Sequence, residues 1–216
     1  MHPASDSSYW DRVAHEKRFS HPLRLDWLEK YSEKKSRILD YGCGYGRTLV
    51  DLSAGGFQNL VGVDFSRAML ARARVAVPGA GLVRNDGHSL PFKNKRFDAV
   101  LLFAVLTCIP ADDEQRGLLA EVKRVLRPGG LLYISDLLVN NDSRNRERYQ
   151  RFAEAYKCYG VFELPEGVAV RHHQREWIED LTRSFRQLEY ELFTVTTMNG
   201  NTSAAFQYLG SKSIRR

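Results

Sequence analysis

A glycine-rich loop that follows a short apolar run is the feature that most restricts how this chain can fold. Ile38-Leu39-Asp40 leads into Tyr41-Gly-Cys-Gly-Tyr-Gly-Arg47, and an amphipathic segment, 48–54, comes next. Glycines at alternate positions let the backbone turn sharply and approach a ligand closely. The pattern therefore predicts a strand, a tight loop and a helix whose first N–H groups are open to a ligand.

The details of this loop separate it from other glycine-rich motifs. A dinucleotide-binding loop reads G-x-G-x-x-G/A, and counting from Gly42 the last small position is the bulky Arg47. A P-loop needs Gly-Lys-Ser/Thr, which this loop lacks. The remaining pattern, D-x-G-x-G-x-G from Asp40 to Gly46, resembles the first motif of class I S-adenosylmethionine-dependent methyltransferases. An unliganded turn in another α/β protein is the alternative for this loop alone.

Later segments extend the resemblance. The strand predicted at 60–64 ends in an acid, and Val-Leu-Arg-Pro-Gly-Gly at 125–130 leads into an apolar strand, as in this family. The resemblance then covers Ile38 to about Leu138. It implies an α/β fold with a Rossmann-like, doubly wound, seven-stranded sheet that is mostly parallel, with an antiparallel edge strand. Strands predicted at 188–196 and 204–209 would form an antiparallel pair at that edge.

The same resemblance implies that S-adenosyl-L-methionine is the cofactor and S-adenosyl-L-homocysteine the product. The residues implied to contact it lie at strand ends and in the following loops: Asp40, Gly42, Gly44 and Gly46 beside the methionine part, Asp64 at the ribose, Phe65, Asp86 and Gly87 at the adenine, and Phe103 and Ala104 on the side facing the acceptor. For Asp86, ordinary Asp-Gly turn chemistry is the alternative.

The acids at these strand ends support the same ligand without reference to the motif. Ligands of such sheets bind outside the carboxyl ends of the strands, where Asp40, Asp64 and Asp86 are expected to meet. Three carboxylates would repel a pyrophosphate, but they suit a ligand that carries an ammonium, a sulfonium and ribose hydroxyls.

The chain is predicted to be a single methyltransferase domain, 1–216, with two additions. One is an N-terminal helical cap, 1–35, broken near His21-Pro22, and the other is a substrate-lid insertion at about 141–173. The cap admits two interpretations. It is either a packing helix or a cover over the cofactor with Tyr9 and Trp10 as its aromatic edge.

Histidine is the usual general base when an acceptor must lose a proton during methyl transfer. His21 lies at the predicted break in the cap, and His172 and His173 end the insertion, so these three are the candidate catalytic residues. Loop histidines bonded to the backbone are the plainer alternative for each. Their spacing is not a metal signature, so no metal is predicted.

The sequence restricts the identity of the acceptor less than that of the cofactor. The stretch 103–110 has no Asp/Asn-Pro-Pro-Tyr/Phe motif and no Pro-Cys pair, which disfavours a flipped base as acceptor. Aromatic residues of the insertion favour a small, partly apolar molecule whose methylated atom is O, N, S or C. An RNA or protein methyltransferase, favoured by the net charge of +6, and a non-catalytic binding module stay open. Arg47 argues against a nicotinamide oxidoreductase.

Composition sets the remaining expectations. The 216 residues show no apolar run long enough to span a membrane and no secretion signal at Met1. The three cysteines, Cys43, Cys108 and Cys158, are far apart and match no disulfide or metal framework, so a cytoplasmic protein is expected. The expected partner is a small-molecule acceptor. Nucleic acid is not favoured, no membrane partner is expected, and the oligomeric state is left open.

Overall fold

Strands and helices alternate along the chain in the computed structural model, which describes residues 7–16, 18, 20–85 and 89–214. The helices are α1 Ser7–Val13, α2 Leu25–Tyr31, α3 Arg47–Ala54, α4 Arg67–Ala76, α5 Asp112–Val125, α6 Ser143–Tyr156 and α7 Arg175–Thr182. The strands are β1 Arg37–Tyr41, β2 Asn59–Asp64, β3 Gly81–Arg84, β4 Phe97–Phe103, β5 Leu126–Leu137, β6 Val161–Glu163, β7 Ala169–Arg171, β8 Phe185–Thr196 and β9 Thr202–Lys212.

Seven of the described strands form one sheet, in the order β3-β2-β1-β4-β5-β9-β8. The pairs among β1 to β5 are parallel, and β9 runs antiparallel to both β5 and β8. This confirms the predicted Rossmann-like, mostly parallel, doubly wound sheet with an antiparallel pair at one edge. The strand order reverses between β1 and β4, and in such sheets ligands bind outside the carboxyl ends of strands at that point.

The central strands are buried on both faces, as parallel strands between two helical layers should be. In β4, Val100 and Leu102 belong to one apolar cluster, while Ala99 and Leu101 belong to the cluster on the opposite face. Alternation of side chains along a strand divides the core in this way. The sheet is therefore fixed on both sides, which holds its strand ends in place.

The N-terminal segment forms two helices, as predicted, but the connection between them is longer than the expected break at His21-Pro22. Helix α1 is tied to α4 by Asp11, whose Oδ1 accepts hydrogen bonds from Ser66 Oγ at 2.6 Å and Ala68 N at 3.0 Å. Ser66 also caps α4 by accepting a bond from Met69 N at 3.1 Å. The cap thus rests on the loop that follows β2.

The insertion at 141–173 contains a helix and a small hairpin. Asp142 caps α6 by accepting a bond from Asn145 N at 3.1 Å. The helix ends at Tyr156, and Lys157 adopts a left-handed conformation there. The following segment forms the antiparallel pair β6–β7, in which two three-residue strands flank the turn at 164–168.

None of the helices in the described part of the chain has both the length and the apolar character that crossing a membrane requires.

Candidate functional site

The glycine loop lies against the ends of two neighbouring strands. The backbone N–H groups of Gly42 and Cys43 both donate to Val63 O, at 2.8 and 3.0 Å. Gly42 has a φ of 71°, and a Cβ added there would lie 2.8 Å from Val105 Cγ2. Only glycine fits this conformation and this approach without strain. The loop is therefore packed directly on the segment that follows β4.

Asp64, at the end of β2, has its carboxylate fixed by the backbone. Oδ2 accepts a bond from Gly44 N at 2.8 Å, and Oδ1 accepts one from Ser66 N at 2.9 Å. Burial raises the pKa of this carboxyl, and the backbone N–H groups of Ser66, Gly44 and Phe65 oppose that rise. A carboxylate oxygen can accept more than one bond, so both oxygens keep capacity for the hydroxyls of a ribose.

Asp40, at the end of β1, is 1% exposed, and its Oδ2 has no hydrogen-bond partner among the described residues. Burial raises the pKa of Asp40 to about 7, Arg47 opposes this shift and Asp64 adds to it. A buried acceptor without a partner is destabilising by about 1–3 kcal/mol. An ammonium group beside this oxygen would donate to it, so this buried acceptor fits the ammonium end of S-adenosylmethionine.

The other predicted cofactor residues lie around the same strand ends, with two outside the described part. Asp86 and Gly87 fall between the described ranges 20–85 and 89–214. Phe65 is partly exposed after β2, whereas Phe103 is buried, with its ring centroid 5.0 Å from that of Tyr133. Ala104 follows β4 in a left-handed conformation, with φ 54°, and donates to Ser135 O.

A cavity of about 100 Å³ opens beside Ala104. Its lining comes from six separate parts of the chain. These are Trp10 of α1, Ser20 and His21, the segment after β4 with Ala104, Thr107 and Cys108, Leu137 at the end of β5, the insertion residues Arg144, Arg148, Phe162, Leu164, Val170 and His172, and the β8–β9 hairpin residues Thr197, Met198, Asn199, Asn201 and Ser203. The cavity adjoins the predicted cofactor crevice because Val105, which contacts Gly42, is the next residue after Ala104.

The two aromatic residues of the N-terminal cap have different surroundings. Tyr9 is buried in the apolar cluster that joins α1 to Met69 of α4 and to the insertion, so it packs the helix in place. Burial raises the pKa of Tyr9 to about 12. Trp10, the next residue, lines the cavity.

Two of the three candidate histidines, His21 and His172, line this cavity. His21 Nδ1 lies 2.9 Å from Ser135 Oγ, and His172 Nδ1 lies 2.6 Å from the Tyr149 hydroxyl. Burial lowers the pKa of His21 to about 4, and it lowers that of His172 well below its usual value, with further lowering by Arg148. Both rings are therefore neutral at neutral pH.

His173 is fully buried and is not part of the cavity lining. Its Nδ1 lies 3.1 Å from Leu137 O, and its Nε2 lies 3.0 Å from Gln115 Nε2. A neutral ring that donates from Nδ1 and accepts at Nε2 satisfies both contacts. Burial lowers the pKa of His173 to about 3. Its position matches the plainer interpretation, a loop histidine that is bonded to the backbone.

Sequence reasoning did not single out several residues that the structure brings to the cavity. Arg144 and Arg148 of α6 and the hairpin tip at 197–203 were not expected there. The tip is held by Ser20, whose Oγ donates to Thr196 O, and by Thr197 N, which donates to Asn201 O at 2.8 Å. No local motif marks these positions, because they meet only when distant segments fold together.

Within the described ranges, no three histidine, cysteine or acidic side chains lie close enough together to hold a metal ion.

Known methyltransferases resemble this chain in sequence and in fold. A family model described as a methyltransferase domain matches residues 39–134, the stretch from β1 to β5. A protein of Encephalitozoon cuniculi that is provisionally named a methyltransferase is 33% identical over 143 residues, which cover 62% of this chain and 63% of that protein.

A second relative is the phthiotriol/phenolphthiotriol dimycocerosates methyltransferase 1 of Mycobacterium ulcerans. It is 38% identical over 115 residues, which cover 49% of this chain and 39% of the relative. This chain therefore spans less than two thirds of the length of either relative.

Among solved structures, an S-adenosylmethionine-dependent methyltransferase of Methanosarcina mazei superposes with a TM-score of 0.82 and 24% identity. The superposition covers 90% of this chain and 99% of that one. At this identity the likeness shows a shared fold.

Proposed function

We propose that this chain is a class I S-adenosylmethionine-dependent methyltransferase and that it methylates a nucleophilic O, N, S or C atom of a small, partly apolar acceptor. The cavity beside Ala104 carries this proposal. It is small and adjoins the glycine loop through Val105, and much of its lining is apolar. Such a cavity suits a small molecule better than a nucleic acid strand.

The mycobacterial relatives support the same class of acceptor. Their names give phthiotriol and phenolphthiotriol dimycocerosates as the molecules methylated, not RNA or protein. The described cysteines, Cys43, Cys108 and Cys158, are all free, which fits the proposed cytoplasmic location.

We assign the cofactor to the strand ends. Asp40 would accept from its ammonium, Asp64 from its ribose hydroxyls, and Gly42, Gly44 and Gly46 would leave room for its methionine part. Phe65, Asp86 and Gly87 would border the adenine, with Phe103 and Ala104 between cofactor and acceptor. When bound, S-adenosylmethionine supplies a methyl group on a sulfonium, which is already a good leaving group. The protein then has to align the acceptor in line and exclude water.

We assign the segment 141–173 as a lid over the acceptor and α1 as the opposite part of its cover. Arg148, Phe162 and His172 of that segment, together with Trp10 of α1, supply much of the cavity lining. Residues on these elements would hold the acceptor while the strand ends hold the cofactor. Exclusion of water from the acceptor and from the cofactor would prevent hydrolysis of the cofactor and favour transfer of its methyl group to the acceptor.

For an acceptor that must lose a proton, we assign His172 as the general base. In the tautomer that would act as base, His172 Nδ1 donates to the Tyr149 hydroxyl, which donates to Asn145 Oδ1 at 3.3 Å, and the lone pair of Nε2 is free. In the other tautomer, Nδ1 accepts from the Tyr149 hydroxyl and from Asn140 Nδ2, which lies 3.4 Å away. Binding of an acceptor that donates to Nε2 would select the first tautomer. His21 lines the same cavity and would position the acceptor.

Calorimetric titration tests the cofactor part of the proposal. We expect S-adenosylmethionine and S-adenosylhomocysteine to bind at micromolar concentration and NAD not to bind. Incubation with labelled S-adenosylmethionine and small-molecule fractions should then yield a labelled product and S-adenosylhomocysteine. Binding of NAD alone would refute the proposal. Tight cofactor binding without transfer to any small molecule, but with transfer to RNA or protein, would refute the proposed acceptor class.

A further inference from the structure

Two arginines of α6, Arg144 and Arg148, line the cavity and lie one helical turn apart on the same face of the helix. Arg144 is exposed, whereas Arg148 is partly buried. Burial lowers the pKa of Arg148, and the neighbouring Tyr149 opposes this. The charge of Arg148 is therefore held away from water at the wall of an otherwise largely apolar cavity.

The guanidinium of Arg148 stacks on an aromatic ring without a carboxylate partner. Its Cζ lies 3.5 Å from the centroid of the Phe162 ring, and its buried Nε has no hydrogen-bond partner among the described residues. Neither Arg148 nor Arg144 forms an ion pair with any carboxylate in the described ranges. Stacking fixes the plane of the guanidinium and leaves its edge available for hydrogen bonds.

Arg171 shows what a buried arginine of this protein looks like when it has a structural role. Its side chain is 5% exposed, and its Nη1 donates to Asp112 Oδ1 at 2.5 Å and to Pro110 O at 3.0 Å. The charge of Asp142 acts on Arg148 from a distance, but both of its oxygens accept from Asn145 at the start of α6. The charge of Arg148 is thus left for something that enters the cavity.

We propose that the acceptor of this methyltransferase carries an oxyanion, a carboxylate or a phosphate, that pairs with Arg148 and Arg144. The inference rests on the proposed function and specifies its substrate class. A planar guanidinium matches two oxygens of either group, and such paired, charge-assisted bonds are stronger than neutral ones. Leu137, Leu164 and Val170, which also line the cavity, would hold a short apolar body attached to the anion.

The size of the cavity limits that body. An engineered apolar cavity of ~150 Å³ holds benzene, and this cavity measures about 100 Å³. A branched group of a few carbons therefore fits within the enclosed part.

The test uses the protein saturated with S-adenosylhomocysteine and three probes of similar shape: isobutyrate, isopropyl phosphate and the neutral isobutyramide. Calorimetry or ligand-observed NMR gives the affinities for wild type, Arg148→Gln, Arg144→Gln and a matched control, Arg146→Gln. Arg146 is exposed on the same helix and is not part of the cavity lining. Because Arg144 is exposed, its replacement does not endanger the fold even if Arg148→Gln does.

We expect at least one oxyanion to bind wild type about tenfold or more tightly than the amide, since a hydrogen bond to a charged group contributes that much. The preferred probe identifies carboxylate or phosphate as the source. Arg148→Gln should remove this preference and Arg144→Gln should reduce it, whereas Arg146→Gln should behave as wild type. The affinity for S-adenosylhomocysteine should change less than threefold in all variants.

Three results would overturn the inference while leaving the proposed function intact: equal binding of amide and oxyanions, no oxyanion binding at all, or an oxyanion preference that survives in both arginine variants. A loss of S-adenosylhomocysteine binding in Arg148→Gln would also overturn it, because Arg148 would then hold the cofactor. Failure of S-adenosylhomocysteine to bind wild type would instead refute the proposed function itself.

Discussion

The proposed cofactor crevice and the proposed acceptor cavity lie side by side but are built in different ways. The first is formed largely by one continuous segment, from β1 to Ser66, and its polar side chains are the buried acids Asp40 and Asp64. The second gathers residues from six parts of the chain, and its charged side chains are Arg144 and Arg148. A negative crevice suits a cationic cofactor, and a positive cavity wall suits an anionic acceptor. Under the two proposals, charge would therefore direct each reactant to its own site.

The largest expected effect comes from comparing two adjacent histidines. His172→Gln should lower kcat by about 10²- to 10⁴-fold for an acceptor that loses a proton, the usual contribution of a general base. The affinity for S-adenosylhomocysteine should stay within threefold of wild type. Steady-state kinetics with an identified acceptor measure the first quantity, and calorimetry measures the second.

His173→Gln is the matched control, because His173 bonds Leu137 and Gln115 behind the cavity. It should lower the free energy of unfolding by about 1–3 kcal/mol through lost buried hydrogen bonds and leave kcat nearly unchanged. An equal loss of kcat in both variants would mean that the division between the two histidines is wrong.

On the cofactor side, Asp64→Ala should weaken binding of S-adenosylmethionine by roughly ten- to a hundredfold, since a hydrogen bond to a charged group contributes ~1.5–3 kcal/mol. Calorimetric titration gives the ratio, with Asp113→Ala, an exposed acid at the start of α5, as the control. A change below about threefold would show that another residue holds the ribose.

The contact between the two regions can be tested through Gly42. Gly42→Ala should lower the free energy of unfolding by about 1–3 kcal/mol, because an alanine would need a strained backbone and would meet Val105 Cγ2. Chemical denaturation measures this loss. Adding Val105→Ala removes the contacting methyl group, so the double variant should regain part of the difference. If it regains nothing, the strain is confined to the glycine loop.

The smallest expected effect is a pH dependence of cofactor binding. The pKa of Asp40 is about 7 because of its burial, and a cationic ligand pairs with the ionised form. Below this pKa a proton must leave before the pair can form, so affinity falls as the pH falls. We expect S-adenosylmethionine to bind about tenfold more weakly at pH 6 than at pH 8. An equally steep profile in Asp40→Asn would assign the effect to another group.

The fold was predictable because its signals are local. The D-x-G-x-G-x-G loop and the acid that ends β2 each lie within a few residues of the turn they specify. The register of the buried strands follows from their apolar character, as in β4. The predicted antiparallel pair, β8 and β9, formed with longer strands than the sequence indicated.

The acceptor cavity was only partly predictable because it depends on tertiary contacts. Trp10, His21 and His172 were expected near the site, but nothing local distinguishes His172 from His173, whose side chains point to different surroundings. The pair β6–β7 was missed because its strands are three residues long. Arg148 carries no signal in sequence, since the absence of a carboxylate partner is visible only in the folded chain.

The position of the β8–β9 turn has a consequence for how such a domain could diversify. This turn joins two long strands at the far edge of the sheet, yet its residues Thr197–Asn201 reach the acceptor cavity. Surface turns tolerate insertions and replacements far better than buried strands do. A change of length or composition here would alter which molecules are accepted without disturbing the glycine loop. Selectivity could thus be exchanged between proteins of this family by grafting a single hairpin tip.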